Sequence, residues 1–128
     1  MKQKARTLLL LVIFLSACFY IRHHYGLGTA YNYFQAKSDL HNGIVQIVGY
    51  GLPLWSSKEA EIDSIQSVYG FKTVEFGCIV TPAELNGIEH YNQTVEDWLN
   101  KRNGKDWLRA YEKSVDSLNE IAFSRSNN

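Results

Sequence analysis

The first eighteen residues limit what this chain can become more than any other part of it. Lys2, Lys4 and Arg6 make a positive start with no acidic residue, and Leu8 to Leu15 (LLLLVIFL) is an unbroken apolar run. Leu15-Ser16-Ala17-Cys18 follows directly. A basic segment ahead of a short apolar one is the pattern of an export signal. Small residues before a cut let the backbone lie extended in a protease cleft, and the cysteine after them supplies a thiol for a diacylglycerol. The tetrapeptide fits a bacterial lipobox, so residues 1–18 read as a lipoprotein-type signal peptide ending at the lipidation residue Cys18. Two or more acyl chains anchor firmly where one would not.

Two other fates stay open, an uncleaved signal anchor and simple secretion. Apolar character runs on through Phe19, Tyr20 and Ile21, unlike the polar tether usual behind a lipobox. Against the anchor stands length. Leu8 to Ile21 is about 21 Å as helix, and a hydrocarbon core is roughly 30 Å. Under both membrane-bound fates the leading positive residues stay inside and the domain faces outward. The expected location is the cell envelope, membrane-anchored, outside the cytoplasm.

Removing the signal ahead of Cys18 leaves about 110 of the 128 residues, one domain's worth. Thirteen basic residues less the three in the signal leave ten, against thirteen acidic ones, a net of −3. A weakly acidic domain carries no electrostatic footprint for nucleic acid, so that class of partner is excluded. With Cys18 lipidated, Cys78 is the one thiol left, and stability must come from packing instead of disulfides.

Residues 19–28 read as a juxtamembrane tether, with Gly26 and Gly28 as breakers. A single α/β domain is expected over 29–123 and a frayed polar tail over 124–128. Thr29 is the expected cap of a first helix ending near Leu40, stopped by His41-Asn42-Gly43. Ile44 to Tyr50 (IVQIVGY) is apolar on both sides and predicts a strand covered on both faces. Ser56, with Glu59 three residues on, predicts a capping box opening a second helix. Ile62, Ile65 and Tyr69 would be its apolar stripe, and Gly70 its end. Val74 to Val80 (VEFGCIV) predicts the second strand. Thr81-Pro82-Ala83-Glu84 is a helix start, with an N-cap, a first-turn proline and a capping glutamate. Leu85, Ile88, Asn92, Val95 and Leu99 form that helix's stripe, with Asn86-Gly87 as a weak point. After Asn103-Gly104 a last helix would bury Leu108, Tyr111, Val115, Leu118 and Ala122. The expected order is α-β-α-β-α-α: a right-handed parallel βαβ unit and a C-terminal helical hairpin. Two strands alone are marginal, so the helices must cover them, unless a third short strand exists.

Asn42-Gly43, Tyr50-Gly51-Leu52-Pro53, Tyr69-Gly70, Gly77-Cys78, Tyr91-Asn92 and Asn103-Gly104-Lys105-Asp106-Trp107 together resemble the FEKKY-domain proteins. These are small exported proteins of Bacteroidetes-type bacteria. The resemblance spans about Ala36 to Leu118. It departs at the name-giving segment, where Ile65-Gln66-Ser67-Val68-Tyr69 stands for F-E-K-K-Y. The family brings no established activity, so the resemblance implies a relative and not a reaction.

The topology suggests one ligand edge. Both strand ends run into helix starts, which gathers Gly51, Trp55, Ser56, Ser57 and Thr81 where free N–H groups favour an anionic or polar ligand. The simpler reading, which the residues favour, is that Ser56 and Thr81 only cap helices, since both capping glutamates would repel an anion. Trp98 and Trp107 bracket the Asn103-Gly104 turn as a partner or glycan patch, or else pack as core. Cys78 with His90 as base would make a nucleophile pair. An apolar strand instead favours an inert thiol, and His90 lies about 200° around the helix from Ile88, toward solvent. His23 and His24 are adjacent, His41 suits a helix end, and no pair has metal-ligand spacing, so neither metal nor cofactor is implied. The expectation is an envelope module that binds a protein, glycan or small ligand without catalysis. The alternatives are a hydrolase-like enzyme using Cys78 and a purely structural membrane-anchored protein.

Overall fold

The computed structural model describes the backbone at residues 2–51 and 58–126 and the side chains at 3–51, 58–118 and 120. The elements are α1 (Lys2–His24), α2 (Tyr33–His41), β1 (Gln46–Gly49), α3 (Glu59–Tyr69), β2 (Lys72–Glu75), α4 (Pro82–Asn103) and α5 (Trp107–Ser126). Among the described residues this is a mostly helical fold, five helices with one parallel two-stranded sheet, and it fits the mixed α/β class.

α1 is one unbroken helix that runs through Cys18 to His24, about 34 Å at the usual rise per residue. It is long and apolar enough to cross a membrane, a test that a signal sequence passes equally. The side chains of Leu8 to Leu15 are all exposed. Gly26, at φ 57°, ends the helix, and the Leu27 N–H reaches back to the Arg22 carbonyl at 2.9 Å. That left-handed residue with a six-to-one hydrogen bond is the common way for a helix to stop. Residues 19–24 thus continue α1, with Phe19, Tyr20 and Ile21 exposed, and the chain turns at the buried Gly26.

Several boundaries differ from the sequence expectation. α2 is capped by Asn32 and not by Thr29. Asn32 Oδ1 accepts from the N–H groups of Phe34 and Gln35 at 3.0 and 3.1 Å, while the Thr29 hydroxyl faces the Gly26 and Tyr31 carbonyls. α3 starts at Glu59 with Lys58 at the N-cap and no side-chain cap bond there; Ser56 lies outside the described residues. β1 is four residues long, and only Val48 is buried, so it is not covered on both faces. β2 begins two residues early, at Lys72, and stops before Gly77. Lys72 and Thr73, which point to opposite faces of the strand, are both exposed, and polar residues suit such positions. Val74 pairs with Val48, and Glu75 with Gly49. Beyond that only the Phe76 N–H to Gly49 O and Gly51 N–H to Gly77 O bonds follow, at 2.8 and 2.9 Å.

Two four-residue strands make a weak sheet, and side-chain amides finish its edges. On the outer edge of β1, Asn92 of α4 accepts from the Val48 N–H at 2.8 Å and donates to the Val48 carbonyl at 2.9 Å. On the outer edge of β2, the Thr73 N–H donates to Gln66 Oε1 at 2.9 Å, and Gln66 Nε2 donates to Thr73 Oγ1 at the same distance. Asn92 thus takes the place of a neighbouring strand, and Gln66, from α3, blocks the other side.

The core is Ala36, Val48, Phe71, Ile88, Tyr91, Val95, Leu99 and Trp107. α4 supplies half of it and packs on α2 and β1. Its stripe is as expected at Ile88, Val95 and Leu99, but Leu85 stays at the surface and Tyr91 is fully buried. The Tyr91 hydroxyl donates to Asp39 Oδ2 at 2.6 Å, and Gln35 Nε2 donates to Asp39 Oδ1 at 2.8 Å. Burial first, then the Asp39 carboxylate, pushes the Tyr91 hydroxyl far up, so it stays a donor. α5 lies chiefly against α3, where Trp107 and Tyr111 meet Phe71 and Tyr69, while Leu108 is exposed. The Ala122 side chain lies outside the described residues.

Asn92→Leu keeps bulk and removes both edge bonds, leaving a strand N–H and C=O unpaired. A loss of about 2 kcal/mol is expected in urea unfolding. Hydrogen exchange should show the Val48 amide losing protection while α5 amides keep theirs.

Candidate functional site

Two concave surfaces flank α4. One is an open groove of about 740 Å³ between α4 and the end of β1. Leu85 and Ile88 are its apolar part; Tyr50, Glu89, Gln93 and Glu96 are its reactive or hydrogen-bonding part. Asn92 and Asn86 also line it, yet both amides are engaged, Asn92 with Val48 and Asn86 with the His23 carbonyl at 3.2 Å. Tyr50 stands at the carboxyl end of β1 with 57% of its surface exposed. Glu96 is half-buried; burial and then its neighbour Asp97 raise its carboxyl above the ordinary range. An exposed ring beside carboxylates and an amide is equipped to hold a hydroxyl-rich or peptide-like ligand by stacking and hydrogen bonding.

The other surface is a cleft of about 310 Å³ lined by Ile21, Tyr25, Leu27, Tyr33, Phe34 and His90, where α1 meets α2 and α4. His90 does not point freely to solvent, as helix geometry alone suggested. Its ring stacks on Tyr25 at 4.8 Å between centroids and lies 6.1 Å from His24. The returning chain at 25–29 covers what would otherwise be open helix face. No periodicity in α4 could have announced that.

The predicted ligand edge is only partly within view. Gly51 has φ 113° and donates to Gly77; Trp55, Ser56 and Ser57 lie outside the described residues. Thr81 forms the full capping box: its hydroxyl accepts from the Glu84 N–H, and Glu84 Oε2 takes the Thr81 N–H at 2.8 Å and its hydroxyl at 2.6 Å. Those hydrogen bonds hold the Glu84 carboxyl below its ordinary value. This helix start already carries its own anion.

Cys18 is exposed on α1. Cys78 is exposed too, which corrects the expectation of a packed thiol inside a strand; β2 ends three residues before it. His90's ring partners are Tyr25 and His24, not Cys78. The two tryptophans do not form one exposed patch. Trp107 is core, its Nε1 donating to Asn100 Oδ1 at 2.9 Å, and only Trp98 is half-exposed, with the Arg102 guanidinium 5.4 Å from its ring. Among the described residues no three of His, Cys, Asp and Glu stand together as a metal site.

No family model, curated protein or solved structure matches this chain.

The Glu96 shift has a definite sign. A carboxyl raised in the fold favours folding below the ordinary carboxyl value and loses that contribution as pH rises through the raised value. Glu96→Gln should therefore be more stable than the parent chain at pH 7, with the difference closing as pH falls below the ordinary carboxyl range. Thermal unfolding across pH 3–8 checks it.

Proposed function

We propose that the chain is a membrane-tethered accessory module of the cell envelope, with its domain outside the cytoplasm and a non-catalytic binding role. What supports the reading is how α1 divides. The side chains of Leu8 to Leu15 are all exposed, whereas Phe19, past Cys18, lines a small concavity with Thr29 and Ala83. The described contacts of α1 with the domain come from beyond Cys18: His23 O takes the Asn86 amide, and Ile21 and Tyr25 line the cleft with His90. Cleavage before Cys18 would thus remove an export signal and leave the docked segment whole. In this reading Cys18 carries lipid, an intact α1 being the alternative anchor. The Tyr50–Glu96 groove is the surface offered to a glycan or an envelope protein. The β1–α3–β2 crossover is right-handed and α4–α5 a hairpin about Gly104, the arrangement that short connections favour. The reading keeps the resemblance to the FEKKY-domain proteins, which brings no activity with it.

Intact mass of the membrane-extracted protein tests the anchor. A chain beginning at Cys18 with a diacylglyceryl mass added is expected; a chain beginning at Met1 with an unmodified sulfur defeats the lipoprotein and leaves the anchor helix. Recovery in the soluble fraction defeats tethering altogether.

One observation favours the enzyme reading enough to test it, namely that Cys78 is exposed. For an accessory module, iodoacetamide should label Cys78 in the native chain at the rate of an ordinary free thiol. Cys78→Ala should change stability by no more than about 0.5 kcal/mol, as surface substitutions do. Much faster labelling would mark an activated nucleophile.

A further inference from the structure

We propose that the cleft between the end of α1 and the start of α2 is a bilayer-contact surface that seats the domain on the headgroup–acyl boundary. This rests on the tethering reading and goes beyond it, because a tether alone leaves the domain's orientation open. Ile21 fixes the depth. It lies three residues past Cys18, about 4.5 Å along the helix axis. An acylated Cys18 sits at the membrane surface by its chemistry. In an uncleaved α1, Ile21 is the last apolar residue before Arg22, His23 and His24. Both fates bring Ile21 to the interface, and the residues that share its cleft arrive with it.

Those residues suit that depth. Tyr25, Leu27, Tyr33 and Phe34 give the cleft an almost wholly apolar wall. Phe34, in the first turn of α2, has 65% of its surface exposed, an odd place for a phenylalanine in water, and Tyr33 beside it is 38% exposed. Tyr20 extends the same aromatic zone down α1, its ring 5.6 Å from that of His24, which in turn lies 5.0 Å from Tyr25. Rings with one polar tip concentrate where acyl chains give way to headgroups. The Lys37 ammonium stands 4.6 Å from the centre of the Tyr33 ring, placing a cation at the edge of this zone for lipid phosphate.

The angle is held as well. A Cβ on Gly26 would lie 2.3 Å from Gly87 Cα, and one on Gly87 would lie 2.3 Å from the Tyr31 carbonyl oxygen. The chain leaving α1 is thus pressed backbone to backbone against α4, and the cleft cannot swing away from the membrane that holds α1.

Oxidative footprinting of the full chain tests this, with one copy per nanodisc of phosphatidylethanolamine and phosphatidylglycerol compared with amphipol-held protein. Tyr33 and Phe34 are expected to oxidise several-fold more slowly in the discs, while Tyr50, in the other groove, keeps its rate. Unchanged rates at Tyr33 and Phe34 in discs that do hold the protein overturn the proposal and leave tethering intact. Protection that appears only with several copies per disc means a second copy covers this face, which also overturns it. A protein that never enters the discs defeats tethering, and this proposal with it.

Discussion

The fold depends on how two four-residue parallel strands are kept from coming apart. A parallel pair has half its backbone groups pointing away from its partner, and such groups are costly to leave unmade where water is excluded. Here two carboxamides supply what further strands would. Asn92 meets the Val48 peptide with one donor and one acceptor, and Gln66 meets Thr73 with its oxygen on the backbone and its nitrogen on the hydroxyl. Only an amide carries both functions at one planar end, so neither a carboxylate nor an aliphatic chain can replace it. Because these amides come from α4 and α3, each helix is fixed against the sheet in register as well as in distance. Gln66 also reaches the Tyr111 hydroxyl at 3.3 Å, which carries the same restraint on to α5.

This explains which parts of the fold were legible in sequence. Signals that act within one turn were plain: Thr81-Pro82-Ala83-Glu84 opens α4, and Gly70 closes α3 at φ 77°. Signals that act across the chain were not. Asn92 stood in the expected stripe of α4 and Gln66 beside the expected stripe of α3, and in one dimension nothing distinguishes a buried amide awaiting a strand from one awaiting water. The strand ends were misplaced for the same reason. Apolar residues from Phe76 to Val80 look like strand, yet the paired register ends at Gly49 and Glu75, and a β-segment without a paired partner is not a strand. Cys78 is exposed in consequence.

The candidate surfaces were less legible still. Both are made by α4 with residues far from it in sequence, Tyr50 on one side and Tyr25, Tyr33 and Phe34 on the other. Helical periodicity tells which face of α4 is apolar, and it gave Ile88, Val95 and Leu99. It does not tell what returns to cover the flank, so His90 looked solvent-facing until Tyr25 was laid against it.

Gly26 and Gly87 connect these matters, because a glycine-to-glycine contact is the closest approach two backbones can make. A Cβ on Gly26 would strike the Gly87 backbone, and one on Gly87 would strike the Tyr31 carbonyl, so the contact has little freedom to slide or tilt. A chain that needed only a leash would be better served by a polar, extensible linker after Cys18. This one continues α1 to His24, stops it with a left-handed glycine, and wedges that glycine against α4 within eight residues of the cysteine. Such rigidity has a use if the direction in which the domain faces matters. Under the proposed tethering it fixes which groove lies down on the lipid and which, with Tyr50 and Glu96, stays open to the envelope.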